Sequence, residues 1–468
     1  MKYRKLAAFR EGDIRGRYPE EINESFVYAF AIAFIAEFPT IKAIAIGRDA
    51  RNSSESLYHA LRDGLLNHGI DVYELGLCAT ELGYFASSRS PINAAIIITA
   101  SHNPADYNGI KLVLDQGRSI HYRSGLAKIE QRMLRGEKQP RARRGKIIAH
   151  NIKAAYLQFM QAYFQPNAID QHHQPIVLNG INGTASTLAC DLATIFNIQT
   201  VWLGEKPGNI PNEGPDPLHP MHLSEMKTMM QNADYRFGVA WDGDCDRCIF
   251  FDANGDVIPT YYIIGVFIEQ FLKSHPKAAI VFDTKLCLNT LDLIETYQGI
   301  PIPSQTGHAF MKTAMRKHRG IYGGELSAHH YFGDFFFCDS GMMTWLEMMR
   351  CLREQQDIQA LIQQRRSQFC SIRELNLKLD SIDEAFNVLK KVYQGQAKSI
   401  HQLDGISFQF HRPWRFSIRR SKTEPLIRLN VEAIADQTLL LSETSQLLKI
   451  LAPFQADEQN WLNQVEIQ

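Results

Sequence analysis

Apolar residues in this chain come in short runs that end in polar or glycine-rich loops. The clearest is Ala94-Ala95-Ile96-Ile97-Ile98, whose unbroken apolar and mostly β-branched character predicts a buried strand. It stops at Thr99-Ala100-Ser101-His102-Asn103-Pro104, where Asn-Pro imposes a turn. The arrangement recurs. Residues 41–47 lead into Arg48-Asp49-Ala50-Arg51, and 175–178 into Asn179-Gly180-Ile181-Asn182-Gly183-Thr184. Residues 238–240 precede Trp241-Asp242-Gly243-Asp244, 278–282 precede Asp283-Thr284-Lys285, and 320–322 precede Gly323-Gly324-Glu325. The apolar stretch 26–36, broken by Glu37 and Pro39, reads as a buried helix, and a longer helical pattern begins near Met342. Strands at 406–410 and 426–431, then a helix from about 438, predict a small C-terminal α+β unit. Strand and helix alternate elsewhere, which predicts an α/β class with mostly parallel sheets. Ligands bind such sheets at the carboxyl ends of strands, where these loops lie.

Length divides the chain further. With 468 residues it exceeds one core and should form three or four domains. The basic stretch 135–146 reads as a solvated connection, Asp252-Ala253-Asn254-Gly255 as a turn, and 363–368 as a third break. Domains are therefore expected at 1–150, 151–253, 254–367 and 368–468. At 45% hydrophobic and 21% charged residues with zero formal net charge, the composition suits a soluble globular protein and argues against a general nucleic-acid binder. No run is long enough for a membrane span or placed like a signal peptide. Eight cysteines without framework spacing suggest reduced thiols in a cytoplasm, and Cys245 and Cys248 lack the second pair that a zinc site needs.

Four loops carry candidate chemistry. Ser101 at a strand's end is a candidate nucleophile, with His102 beside it to bond a substrate or an attached phosphate. Asp242, Asp244 and Asp246 alternate on one tight loop, as convergence on a hard divalent cation requires. An EF-hand is excluded, because its glycine position holds Arg247 and its bidentate glutamate position Ala253. Glu325, Ser327 and His329 offer acceptors and donors suited to vicinal sugar hydroxyls, or else cap a helix. Arg419, Ser421, Lys422 and Thr423, with Arg428 beyond them, combine hydroxyls and a guanidinium fork, which suits phosphate.

Together these loops resemble the four hallmarks of the α-D-phosphohexomutase superfamily, in order and over essentially the whole chain. Within it, Gly323 to Phe332 with Phe337-Cys338-Asp339-Ser340-Gly341 is most similar to bacterial phosphomannomutases. The resemblance implies four domains around a central cleft, three related mixed α/β domains and a smaller C-terminal α+β domain. It implies isomerisation of mannose 6-phosphate to mannose 1-phosphate through phosphorylated Ser101 and a hexose 1,6-bisphosphate, feeding GDP-mannose synthesis. One Mg²⁺ per site would be held by Asp242, Asp244, Asp246 and the Ser101 phosphate, with hexose 1,6-bisphosphate as activator and Lys111 and Arg247 assisting. Arg15, Arg419, Ser421, Lys422, Thr423 and Arg428 would hold phosphate, and Glu325, Ser327 and His329 the sugar. Lys285, His308 and His329 are candidates, unranked, for proton transfer. The implied partners are small hexose phosphates, with neither nucleic acid nor membrane, and the chain is expected as a monomer or homodimer. A phosphoglucomutase or dual-specificity enzyme stays open, as does a non-catalytic sugar-phosphate binder. Two departures stand out: Gly12 replaces the usual aromatic before Asp13-Ile14-Arg15, and Lys422 stands where Asn or Gly is common.

Overall fold

The computed structural model describes residues 6–136, 144–170, 174–354, 358–421, 426–456 and 460–468. The chain forms two compact units, Met1–Ile258 with Ser327–Glu354, and Pro259–Leu326 with Gln355–Gln468.

The first unit opens with a seven-stranded mixed sheet. Its main strands are β1 (Ile14–Arg17), β2 (Ala43–Arg48), β3 (Asp71–Leu77), β4 (Ala94–Ile98) and β5 (Tyr107–Leu114). Strand β4 runs parallel to β2, and β2 parallel to β3, while β5 is antiparallel to both β4 and β1. All five residues of β4 are buried, as its unbroken apolar run requires for a central strand covered on both faces. Helix α1 (Glu24–Glu37), capped by Asn23, buries Val27, Phe30, Ala31 and Phe34 in the same core as Ile96 and Ile98. Helices α2 (Ser54–Leu66) and α3 (Thr80–Ser87) follow β2 and β3.

A second sheet in this unit places Gly238–Trp241 parallel to Ile176–Asn179, which is parallel to Thr200–Leu203. Cys248–Phe251 returns antiparallel to Gly238–Trp241, so the loop 242–247 is a tight reversal between paired strands. The hairpin His330–Phe332 with Cys338–Asp339 and the helix Gly341–Glu354 also belong here.

In the second unit, Ala279–Asp283 pairs in parallel with Ile300–Ser304 and Tyr322–Gly324. The remainder is a six-stranded antiparallel sheet with helices Ile382–Tyr393 and Gln437–Leu451. Its core is aromatic: Phe410 and Trp414 stack at 4.2 Å between centroids, and Phe408, Phe416 and Tyr393 join them. The molecule is thus a mixed α/β fold with a C-terminal antiparallel sheet.

Two details differ from the sequence reading. Residues 363–368, read as a break, are the last turns of helix Ile358–Gln368. Residues 325–329 form a turn and not a helix, so Glu325 and Ser327 are not helix caps. The eight cysteines are all free, and among the described residues no helix is long and apolar enough to cross a membrane.

Candidate active site

The β4 strand delivers Ser101 at φ +54°, in the left-handed region that non-glycine residues enter at a cost. The surrounding loop holds it there. Its amide donates to Thr99 Oγ1 at 2.9 Å, and beneath it lies the guanidinium of Arg51, 2% exposed. Arg51 donates to the carbonyl oxygens of Ser101 (2.8 Å), Asn103 (2.6 Å), Pro104 (2.6 Å) and Tyr107 (3.1 Å), and is oriented by Asp49 Oδ2 at 3.1 Å. The loop 242–247 approaches so closely that a Cβ on Gly243 would sit 2.8 Å from the Ser101 carbonyl oxygen. Only glycine fits there.

Asp242, Asp244 and Asp246 all lie at or below 1% exposure, with carboxylate oxygens within 4.8 Å of one another. The hydroxyl of Ser101 donates to Asp242 Oδ2 at 2.6 Å. Lys111, from β5, donates to Asp244 Oδ2 at 2.6 Å and also to Asp246 Oδ2. Thr80 Oγ1, at the start of α3, donates to the same Asp244 oxygen at 2.6 Å. Burial, then the charges of Asp246 and Asp244, push the Asp242 carboxyl well above its ordinary pKa. Burial also works against Asp246, but Lys111 and His329 outweigh it and hold that carboxyl below its ordinary value.

These residues fit a hard cation. Asp244 Oδ1 and Asp246 Oδ1 are buried without a hydrogen-bond partner, an arrangement that is costly unless a cation completes it. Among the described residues the three carboxylates meet two permanent cations in direct ion pairs, Lys111 and Arg247, the latter 3.7 Å from Asp242 Oδ2. An all-oxygen set of this kind is what Mg²⁺ takes.

His102 is not positioned as a base for Ser101. Its Nδ1 lies 3.2 Å from Ser101 Oγ, but Arg247 Nη2 lies closer, at 2.7 Å, and occupies the same lone pair. Burial first, then the charges of Arg247, Arg15 and Lys111, hold the ring far below its ordinary pKa and therefore neutral. Arg15 reaches Asn103 Oδ1 at 2.8 Å and pairs with Asp13 at 2.8 Å. His329 sits between Arg247 Nε (3.2 Å from Nε2) and Asp339 Oδ2 (3.0 Å from Nδ1). Burial opposes charge on that ring, yet Asp246 and Asp339 leave its pKa above the ordinary value. The tautomer with its proton on Nδ1 satisfies both neighbours. Ser327 is half-buried, with its Oγ making no hydrogen bond.

The second unit gathers the other predicted residues. Lys285 Nζ is 3.4 Å from Asp283 Oδ2, which also accepts from the Leu326 amide at 2.9 Å. Glu325 Oε1 accepts from Gly307 N at 2.7 Å, directly before helix His308–His318. Arg419 and Arg428 converge on Glu374, at 3.7 and 3.2 Å, and Asn430 donates to it at 3.0 Å. The Nε atoms of both arginines are buried with no hydrogen-bond partner, donors left over for an anion. Ser421 follows the strand Trp414–Arg420, whereas Lys422 and Thr423 lie outside the described residues.

Sequence reasoning missed Arg51, Thr80, Asp339 and Glu374. Arg51 stood in a loop already noted after a strand, and Asp339 in the stretch that carried the family likeness. Thr80 and Glu374 have no local signal, because their partners lie far away in sequence.

Three family domain models match the chain: phosphoglucomutase/phosphomannomutase α/β/α domain I over residues 6–140, domain II over 154–255 and domain III over 259–369. The chain belongs to the phosphoglucomutase/phosphomannomutase family. Membership makes it an isomerase of the phosphosugar-mutase kind. The phosphomannomutase of Escherichia coli K12 is 38% identical over 458 residues, 96% of this chain and 99% of that protein. A Xanthomonas campestris protein named for phosphohexose mutases is 36% identical, over 95% of this chain and 99% of its own length. A crystal structure of a phosphoglucomutase/phosphomannomutase family protein from Burkholderia thailandensis superposes with TM-score 0.85 at 26% identity. It covers 96% of this chain and 99% of that one.

Proposed function

We propose that the chain is a phosphomannomutase that interconverts D-mannose 6-phosphate and α-D-mannose 1-phosphate, with Ser101 as a stored phosphoryl donor. The observation that carries this reading is the pairing of Ser101 Oγ with Asp242 at 2.6 Å while its neighbour His102 is engaged by Arg247. A serine whose neighbouring imidazole is already engaged, and which faces a cation-binding loop, suits a phosphoenzyme better than a hydrolase. Asp242, Asp244 and Asp246, with the Ser101 phosphate, would hold one Mg²⁺. When bound, it neutralises charge on the phosphoryl oxygens.

The remaining work falls to side chains. Arg247 and Lys111 would steady the phosphoryl group of Ser101 while a sugar hydroxyl attacks its phosphorus and the bond to Ser101 Oγ breaks. The hydroxyl proton passes to Lys285, His308 or His329, Ser101 Oγ takes up a proton as it leaves, and the product is a hexose 1,6-bisphosphate. After that molecule reorients, Ser101 Oγ gives up its proton as it takes the other phosphate, and the sugar oxygen released regains the proton it lost. Arg15, Arg419, Ser421, Lys422, Thr423 and Arg428 would grip the phosphate that is not reacting. Glu325, Ser327 and His329 would bond ring hydroxyls in either orientation. The product would feed GDP-mannose synthesis in a cytoplasm, with added hexose 1,6-bisphosphate restoring any enzyme that has lost its phosphate.

Intact-mass analysis with peptide mapping should find phosphate on Ser101. Ser101→Ala should abolish turnover and retain substrate binding; unimpaired turnover would sink the mechanism. Coupled assays should favour mannose 1-phosphate, and a kcat/KM strongly favouring glucose 1-phosphate would make the enzyme a phosphoglucomutase. Failure of Ser101 to take phosphate from a hexose 1,6-bisphosphate would leave a binding protein.

A further inference from the structure

The segment entering helix Pro220–Gln231, whose Gly214 packs against the His102 and Asn103 carbonyl oxygens of the Ser101 loop, collects Glu213, His219 and His222. One ligand atom from each lies within 4.8 Å of the other two. His222 is 2% exposed, and the partners that its ring nitrogens meet in hydrogen bonds and ion pairs among the described residues are all acceptors. Nδ1 lies 3.2 Å from Glu225 Oε2, and Nε2 lies 3.1 Å from the Gly214 carbonyl oxygen and 3.7 Å from Glu213 Oε1. A neutral imidazole carries one N–H, so it cannot donate to both sides. With the proton on Nδ1, toward Glu225, a lone pair on Nε2 faces Glu213 and Gly214. A carboxylate holding one ring nitrogen while the other is turned to ligands is the support that metal-bound histidines commonly have.

Three further observations agree. Glu213 Oε1 is a buried carboxylate oxygen with no hydrogen-bond partner. His219 Nδ1 accepts a long 3.4 Å contact from the Met221 amide, a weak cap that a stronger ligand can replace. His222 and Glu225 also line a cavity of about 520 Å³ of mixed polar and apolar character, with Asn179, Ser224, Met221 and Met229, from which the His222 ring can be reached.

We propose that Glu213, His219 and His222 form a second cation site, for a borderline transition metal of the Zn²⁺ or Co²⁺ class. Two imidazoles and one carboxylate suit such ions and leave a fourth position for water. Mg²⁺, which prefers an all-oxygen set, should stay at the carboxylate loop. The cation would tie the segment before the helix to the helix's first turn.

The test is a Co²⁺ titration of the full chain, freed of metal and then supplied with excess Mg²⁺, read by visible d–d absorption. The site predicts one nitrogen-ligated cobalt per chain that Mg²⁺ does not displace. His219→Gln should weaken it at least tenfold and leave mutase activity in Mg²⁺ unchanged. Glu225→Gln, whose carboxylate reaches the ion only through His222, should weaken it by about 10–100-fold. Should His219→Gln fail to fold by circular dichroism, Glu213→Gln replaces it with the same expectation. A cobalt band that Mg²⁺ competes away, or one that these substitutions leave unchanged, would overturn the proposal.

Discussion

Lys111, on β5, sets a cation among the three buried carboxylates of the loop 242–247. It is 4% exposed and bonds oxygens of both Asp244 and Asp246, and their charges raise its pKa despite the opposing effect of burial. In Lys111→Met the carboxylates keep, among the described residues, Arg247 as their direct permanent cation. Metal-free protein should then lose about 3–5 kcal/mol of stability, as expected when one side of a buried ion pair is removed. Mg²⁺ should bind more tightly, by roughly tenfold, because a neighbouring positive charge no longer repels it. Melting temperatures with EDTA and with Mg²⁺, together with calorimetric titration, separate the two effects. Weaker Mg²⁺ binding in this variant would mean that Lys111 shapes the loop more than it repels the ion. Arg51 works differently, by satisfying four carbonyl oxygens of the Ser101 loop from one planar fork. Arg51→Lys offers a point charge with no such fork. It should lower kcat with little change in KM, and cost about 2–4 kcal/mol in denaturant unfolding.

At the scale of elements, what was legible depended on whether the cause was local. The apolar run of β4 has the bounds read from sequence, Ala94–Ile98, and so does the strand Ile406–Phe410. Helix α1 was legible from its apolar run, though its Asn23 cap extends it to Glu24. The acidic loop was legible because its three carboxylates share one turn. Partners distant in sequence were not: Thr80 meets Asp244 across 164 positions. Glu374 likewise meets Arg428 across 54. The same Glu374 makes the strands that carry Arg419 and Arg428 sensitive to acid. Burial opposes its charge, but Lys285, Arg419, the Asn430 hydrogen bond and Arg428 hold its pKa below the ordinary 4.5. A folded-state pKa below the unfolded one gives stability that is fully present above about pH 4.5 and is lost as pH falls through the depressed value. Wild type should therefore be more stable than Glu374→Gln at neutral pH, and the gap should close as acid is added. Urea midpoints of both proteins from neutral to acid pH check this; a constant gap would show that Glu374 acts by shape alone.

For the whole molecule, zero formal net charge means that binding of anions and cations is decided by local clusters, not by a general field. The carboxylates, Lys111, Arg247 and Ser101 all belong to the unit Met1–Ile258 with Ser327–Glu354. Arg419, Arg428 and Glu374 belong to Pro259–Leu326 with Gln355–Gln468. An ion that binds only folded carboxylates opposes every opening that breaks them, by about 2.7 kcal/mol when its concentration is a hundred times Kd. Openings that leave the carboxylates intact gain nothing from it. Hydrogen exchange with Mg²⁺ and without sugar should therefore slow in β4 and in the strands Gly238–Trp241 and Cys248–Phe251. Exchange in the core of the antiparallel sheet, Phe408 to Val431, should stay as it was. Equal slowing in both would mean that the two units open together, and that metal at the carboxylate loop governs the stability of the antiparallel sheet as well.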